Sequence, residues 1–239
     1  MKLIRQGVVA ASDCDTTVKM SVIGAFSLVE NMVTELMGVQ KIDGVTCMRE
    51  YGAMWVFVRN RIEIREPMQW MDAYTAECCI SSFTKAKLFV DTVVRHEGRI
   101  AIASRLELCA VDLQTKRIRP TSTVGLGERI KAEGSELEIA YSRESYEPLS
   151  ALETVVVRSS DIDYCHHTNN ISYIRYLMNR YSVKELEEHP IRAIEVQYAD
   201  QTFEGETLMI SDCGEDRFVI ETSRGIAMRC KLEHIERGQ

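Results

Sequence analysis

The sequence predicts an α+β fold of two tandem repeats, each an antiparallel sheet wrapped around a long central helix. Three observations predict it. A short motif occurs twice, as Ser12-Asp-Cys-Asp15 and as Ser160-Asp-Ile-Asp163. Each copy follows an apolar run, Val8-Val-Ala10 or Val155-Val-Val157, and leads into apolar residues at helical spacing. Each helix is then followed by a series of runs with strand character.

The elements follow in order. Met1-Lys-Leu-Ile-Arg-Gln6 leads directly into a strand-like stretch, with neither the apolar core of a signal peptide nor the Arg/Ser bias of a transit peptide. Ile23, Phe26, Val29, Val33 and Leu36 recur every three or four residues and predict the first helix, with Gly38 as its stop. Strands are expected over 54–64, 74–82, 87–95 and 99–113. In the last of these Ile100, Ile102, Leu106, Leu108 and Ala110 share one face. The stretch from Pro120 to Leu152 is polar and contains Gly125, Gly127, Gly134 and Pro148, so it reads as a linker. The division is therefore 1–120 for the first repeat, 121–152 for the linker and 153–239 for the second repeat.

In the second repeat Ile171, Ile174, Leu177, Met178 and Tyr181 predict the helix. Asn169 or Asn170 caps its start, because an Asn side chain accepts from a free N–H of the first turn. Strands are expected over 192–198, 207–212, 217–222 and 226–232. The apolar stripe on each helix is wide, so each helix is wrapped rather than laid on a surface. A meandering sheet that curls around it does this, and that is the hotdog arrangement, here in two copies.

Composition narrows the function. The chain has 239 residues, enough for one large domain or two small ones. Its net charge is −7 with acids and bases interspersed, which lacks the basic stripe of a nucleic-acid binder. No apolar run approaches the roughly 20 residues of a membrane span, and a cytoplasmic location is expected. Eight cysteines follow neither a disulfide framework nor a zinc pattern, so they read as small core residues in a reducing compartment. Cys78 and Cys79 should point to opposite faces of one strand. No metal or cofactor is expected. Cys165, His166 and His167 alone would make a poor tetrahedral site.

Asp161, Asp163, His167, Asn169, Asn170 and Tyr173 fit the pattern Asp-x-Asp-x-Asn-x-His-x-Asn-Asn-x-x-Tyr at identical spacing. In this the chain resembles the plant and bacterial acyl-acyl carrier protein thioesterases. The first half is similar too: Trp55 to Arg59 looks like the family's Trp-Val-x-x-Arg strand, and Pro67, Trp70 and Asp72 fit its Pro-x-x-Trp-x-Asp turn. The resemblance implies hydrolysis of a fatty acyl-acyl carrier protein thioester to free fatty acid and carrier protein, with water as second substrate. It implies catalytic residues on the second repeat and an acyl-chain pocket on the first. Asn170, Tyr173, Trp55 and Phe26 are then the candidate substrate contacts. The first repeat has Val18, Lys19 and Met20 where the second has His166, His167 and Thr168, so one site per chain is expected.

Two departures bear on mechanism. Cys165 stands where the family has Asn, and Gln201 and Thr202 stand where it has Glu and Cys. Thr202 lacks a thiol, so a cysteine scheme at that position cannot operate. Asp163 is then a general base for water or itself the nucleophile, and His167 positions the water or shares its proton. Backbone N–H groups near Asn169 and Asn170 would stabilise the oxyanion at the helix start. Cys165 as nucleophile with His167 as its base is a further scheme, and Gln201 is a candidate in the family Glu position. Asp200 or Glu204 could take that position only if the backbone shifts. An acyl-CoA thioesterase and a catalytically impaired acyl-binding protein remain alternatives, and a homodimer is compatible. For an acidic carrier protein, Arg59, Arg61, Arg65, Lys85 and Lys87 could supply a basic docking patch.

Overall fold

The computed structural model describes residues 1–127, 130–142, 144 and 146–235. The chain divides into two compact units, Met1–Ala140 and Tyr141–Gln239.

The first unit contains β1 (Lys2–Val8), α1 (Val22–Gln40), α2 (Gly44–Tyr51), β2 (Ala53–Ile64), β3 (Ala73–Phe83), β4 (Leu88–His96), β5 (Arg99–Asp112) and the short β6 (Ile118–Arg119). Its strands pair antiparallel in the order β1-β3-β4-β5-β2, and β6 adds to the end of β5. Ser21 caps α1 by accepting from the Gly24 N–H, and Phe26, Val29, Val33 and Leu36 are fully buried along one face. Burial of each such side chain is worth about 1.5–3 kcal/mol. Gly38 does not stop the helix. It runs two residues further and ends at Lys41, whose left-handed conformation (φ 56°) lets Lys41 and Ile42 donate back to Gly38 and Met37.

The Val22–Tyr51 stretch reaches a mean hydropathy of 1.4 over an eighteen-residue window. Length and composition therefore do not set it apart from a membrane span, contrary to the sequence expectation. Its burial against the sheet, not its polarity, identifies it as a core helix. The α2 helix was not foreseen either, since Cys47 is its one buried residue. Its start is instead set by Asp43, which accepts from the Thr46 N–H and hydroxyl at 3.0 and 2.7 Å.

The expected linker proves to be largely part of the first unit. Residues up to Ala140 cluster with it. Val124, Leu126, Ile130, Leu137 and Ile139 are all buried, and the last two pack on Val93 and Ala103 of the sheet's outer face. Arg105 grips this strap, bonding the Asp91 carboxylate at 2.9 and 2.8 Å and the Ile139 carbonyl at 2.7 Å. The apolar residues of the strap are too widely spaced to show a period, which is why composition alone reads as a linker. Cys78 and Cys79 do take opposite faces: Cys78 accepts from Thr92, and Cys79 lies toward Gly134 in the strap.

The second unit contains β7 (Ser150–Val156), α3 (Asn170–Met178), α4 (Val183–Glu188), β8 (Ile191–Tyr198), β9 (Thr207–Asp212), β10 (Arg217–Thr222) and β11 (Gly225–His234). Its order, β7-β9-β10-β11-β8, repeats the connectivity of the first unit. At nine residues, α3 is shorter than the nineteen of α1 and leaves Tyr181 beyond its end. Ser182 and Glu185 form a reciprocal cap that starts α4 at once, so the chain turns before another helical turn can be added. Tyr181 is still apolar packing, edge-on to Phe218 at 6.5 Å between ring centroids.

Candidate active site

The loop before each helix is built by the same bonds. In the first unit Asp15 N–H donates to Lys19 O, Val18 N–H to Asp15 O, Ser21 N–H to Asp13 O and Met20 N–H to Met68 O. In the second, Asp163 N–H donates to His167 O, His166 N–H to Asp163 O, Asn169 N–H to Asp161 O and Thr168 N–H to Thr202 O. Val18 and His166 both hold φ of 64° at the tip. The duplicated motif is therefore a duplicated backbone, and chemistry depends on what the side chains do with it.

Asp15 is saturated. Its Oδ1 accepts from the Thr17 N–H at 2.8 Å, the Thr17 hydroxyl at 2.7 Å and the Lys19 N–H at 3.3 Å. Asp163 accepts one such bond, from the Cys165 N–H at 2.7 Å, because Cys165 replaces the threonine. Its Oδ2 instead lies 3.8 Å from His167 Nδ1. His167 Nδ1 is also 3.3 Å from the Thr168 carbonyl. A carbonyl can only accept, so Nδ1 carries the proton and Nε2 is left as the ring's acceptor. Both side chains are mostly shielded, 17% exposed for Asp163 and 18% for His167.

Cys165 joins this pair, with the donor atoms of Asp163, Cys165 and His167 all within 4.8 Å of one another. Burial, reinforced by the Asp163 carboxylate, pushes its thiol above the ordinary range. That is the reverse of the depressed value a nucleophilic thiol needs, so the geometry does not support the Cys165 scheme. The trio is better suited to handling protons than to a cation. All three donors come from one short loop, and the thiol would have to ionise beside a carboxylate. His166 is exposed at the loop tip, as expected of a residue outside the chemistry.

Asn169 caps α3, its side chain accepting from the Ile171 N–H at 2.8 Å while its carbonyl accepts from Ser172. This leaves the Asn170 N–H without an acceptor among the described residues. It is the first-turn donor available to a developing oxyanion.

Tyr173 requires correction, and the Gln201 backbone is tied to other residues. Tyr173 is buried, 3% exposed, and its hydroxyl is bonded to Thr202 Oγ1 at 2.7 Å, so it supports the loop from beneath instead of facing substrate. The half-buried Gln201 follows β8 on a different loop. Its N–H bonds Asp200 at 2.9 Å and its carbonyl accepts from Arg224 at 2.7 Å, while its side chain has no hydrogen-bond partner among the described residues. Asp200 is itself paired with Arg224 at 3.0 Å, and Glu204 is exposed. No hydrogen bond or ion pair links any of the three to Asp163 or His167 among the described residues. Sequence reasoning passed over Thr168 and set Thr202 aside as a lost cysteine. Their Oγ1 atoms meet at 2.6 Å across 34 positions, a pairing no local pattern announces.

Phe26 and Trp55 belong to the first unit. Phe26 is fully buried on α1. Trp55 packs on the cluster of Cys47, Ala53, Ala110 and Val124 and donates its indole N–H to Ile42 O at 2.7 Å, which ties β2 to the turn between α1 and α2. A cavity of about 320 Å³ also lies in this unit, lined by Lys2, Glu77, Cys79, Asp91, Ser135 and Leu137 among others. It contains no residue of the Asp163 loop. The proposed basic patch is partly offset: Arg61 and Arg65 share Glu63, at 3.1 and 2.9 Å, and Lys87 pairs with Glu107, at 2.6 Å.

Residues 145–237 match the family model for the acyl-ACP thioesterase C-terminal domain. Solved structures share the fold of the whole chain at low identity. An acyl-ACP thioesterase from Bacteroides thetaiotaomicron is 16% identical, with a TM-score of 0.86 and 98% of each chain covered. The 12:0-ACP thioesterase from Umbellularia californica is 14% identical, with a TM-score of 0.77, covering 98% of this chain and 97% of that one. No curated protein matches by sequence.

Proposed function

We propose that the chain, whose residues 145–237 match the acyl-ACP thioesterase C-terminal domain, hydrolyses fatty acyl thioesters carried on acyl carrier protein. The observation that carries this reading is the Asp163 carboxylate beside His167: one oxygen accepts from the Cys165 N–H and the other faces the imidazole at 3.8 Å.

Asp163 Oδ2 takes a proton from water as the water oxygen attacks the thioester carbonyl. His167, its Nδ1–H turned toward Thr168 O and Asp163, holds the carboxylate in place and shares the charge change. The Asn170 N–H donates a hydrogen bond to the developing oxyanion. Collapse of the tetrahedral intermediate breaks the carbon–sulfur bond, and the proton passes to the departing thiolate. The products are a free fatty acid and the carrier's thiol. A role in fatty acid synthesis follows from the substrate, and eight unpaired cysteines support a reducing, cytoplasmic setting.

The test is a panel of acyl carrier protein and CoA thioesters of varied chain length, assayed for thiol release. The expected result is turnover of acyl carrier protein thioesters, lowered about 10²–10⁴-fold in kcat by Asp163→Asn. A strong preference for CoA thioesters would overturn the carrier assignment. Acyl binding without hydrolysis by the unaltered protein would overturn the enzyme.

A further inference from the structure

Thr202, Thr168 and Tyr173 are 0%, 2% and 3% exposed and form a closed set of hydroxyls beneath the catalytic loop. Their proton directions can be assigned. Thr168 Oγ1 lies 3.0 Å from the Thr202 carbonyl, which can only accept, so Thr168 donates there. At the 2.6 Å contact between the two threonines, Thr202 must then be the donor. That leaves Thr202 Oγ1 to accept from Tyr173 at 2.7 Å. The protons run one way, Tyr173 to Thr202 to Thr168 to the Thr202 carbonyl, and every hydroxyl donates once. Burial keeps the Tyr173 phenol protonated and so keeps it a donor.

The first unit supplies an internal comparison. Met20 N–H bonds Met68 O at 2.8 Å just as Thr168 N–H bonds Thr202 O at 2.8 Å. The loop thus folds with the backbone pin alone. In the first unit the side chains at these positions are Met20 and Met68, and Ala25 occupies the helix position of Tyr173, four residues after the cap. The hydroxyls appear in the repeat that carries the Asp–His pair. They also act on the right residue, because the Thr168 carbonyl is the nearest acceptor of His167 Nδ1–H, at 3.3 Å.

We propose that Thr202, with Tyr173 behind it, is a positioning residue that locks Thr168 and thereby fixes the orientation and tautomer of the His167 imidazole. In this chain the position of the family's cysteine has become part of the support for the histidine. The proposal rests on the reading of His167 as part of the catalytic pair.

The experiment compares Thr202→Val, which keeps the shape and deletes the hydroxyl, with Thr202→Ser, which keeps the hydroxyl, and with Tyr173→Phe. Thr202→Val should lower kcat about 10–100-fold, the usual effect of losing a group that orients a functional histidine, with KM within about threefold. Thr202→Ser should recover most of the loss, and Tyr173→Phe should fall in the same direction. Nitrogen NMR of the His167 ring should show Nδ1–H in the unaltered protein and in Thr202→Ser, and a mixed tautomer in Thr202→Val. Unchanged kcat and tautomer in Thr202→Val would overturn the proposal, as would equal losses in the Val and Ser variants. If Thr202→Val does not fold, Tyr173→Phe decides by the same two readouts. Absence of hydrolysis by the unaltered protein would instead refute the thioesterase reading, and the tautomer measurement would still judge the hydroxyl set.

Discussion

Cys165 shows how a single side chain can set the availability of its neighbour. Where Thr17 gives Asp15 Oδ1 a backbone N–H and a hydroxyl, Cys165 gives Asp163 Oδ1 only a backbone N–H, so the Asp163 carboxylate is held by fewer bonds. The thiol itself stays protonated, since burial and the Asp163 charge both oppose its ionisation. Replacing Cys165 with Ala should therefore leave kcat within about threefold. Modification of Cys165 by iodoacetamide should stay slow at neutral pH and rise only above the ordinary thiol pKa of about 8.5. A Cys165→Ala protein without activity, or a thiol that alkylates readily at pH 7, would restore cysteine to the mechanism. Asp163, His167 and the capping Asn169 were legible in the sequence because they lie within a few residues of one another. Thr202 was not, because its meaning depends on a residue on the far side of β8.

At the scale of elements, α3 begins where it does because Asn169 satisfies the Ile171 N–H, and that same start leaves the Asn170 N–H without an acceptor among the described residues. Asn169→Ala should cost about 1 kcal/mol of stability through the lost cap, a fall in Tm of about 2–4 °C. It should also lower kcat more than it raises KM, because the oxyanion donor loses its alignment. A Tm loss with no kinetic effect would separate the cap from catalysis. The strands were well read from sequence: β9 and β10 fall on the expected residues, and β2 to β5 begin and end within one residue of expectation. Alternation and turn residues encode them locally. The α2 and α4 helices were missed because they bury almost nothing and are set by polar caps, Asp43 and Ser182. The strap was missed for the opposite reason, since its apolar residues are buried without forming any regular element.

For the molecule as a whole, a net charge of −7 opposes the long-range approach of an acidic carrier, and Glu63 and Glu107 offset part of the basic patch. Added salt screens like-charge repulsion. The KM for an acyl carrier protein substrate should accordingly hold steady or fall as ionic strength rises from about 0.05 to 0.3 M. A steep rise would reveal a basic docking surface after all. The two repeats also divide the demands of folding and catalysis between them. Three hydrogen bonds to one Asp15 oxygen strengthen the first copy of the loop, whereas the second copy has one at Asp163 and forgoes that strength to stay reactive. Cys165→Thr would hand the second copy the missing hydroxyl. The expected product is a sturdier and slower protein, melting a few degrees higher by calorimetry while its turnover falls. Activity here is held in the form of a hydrogen bond left unmade.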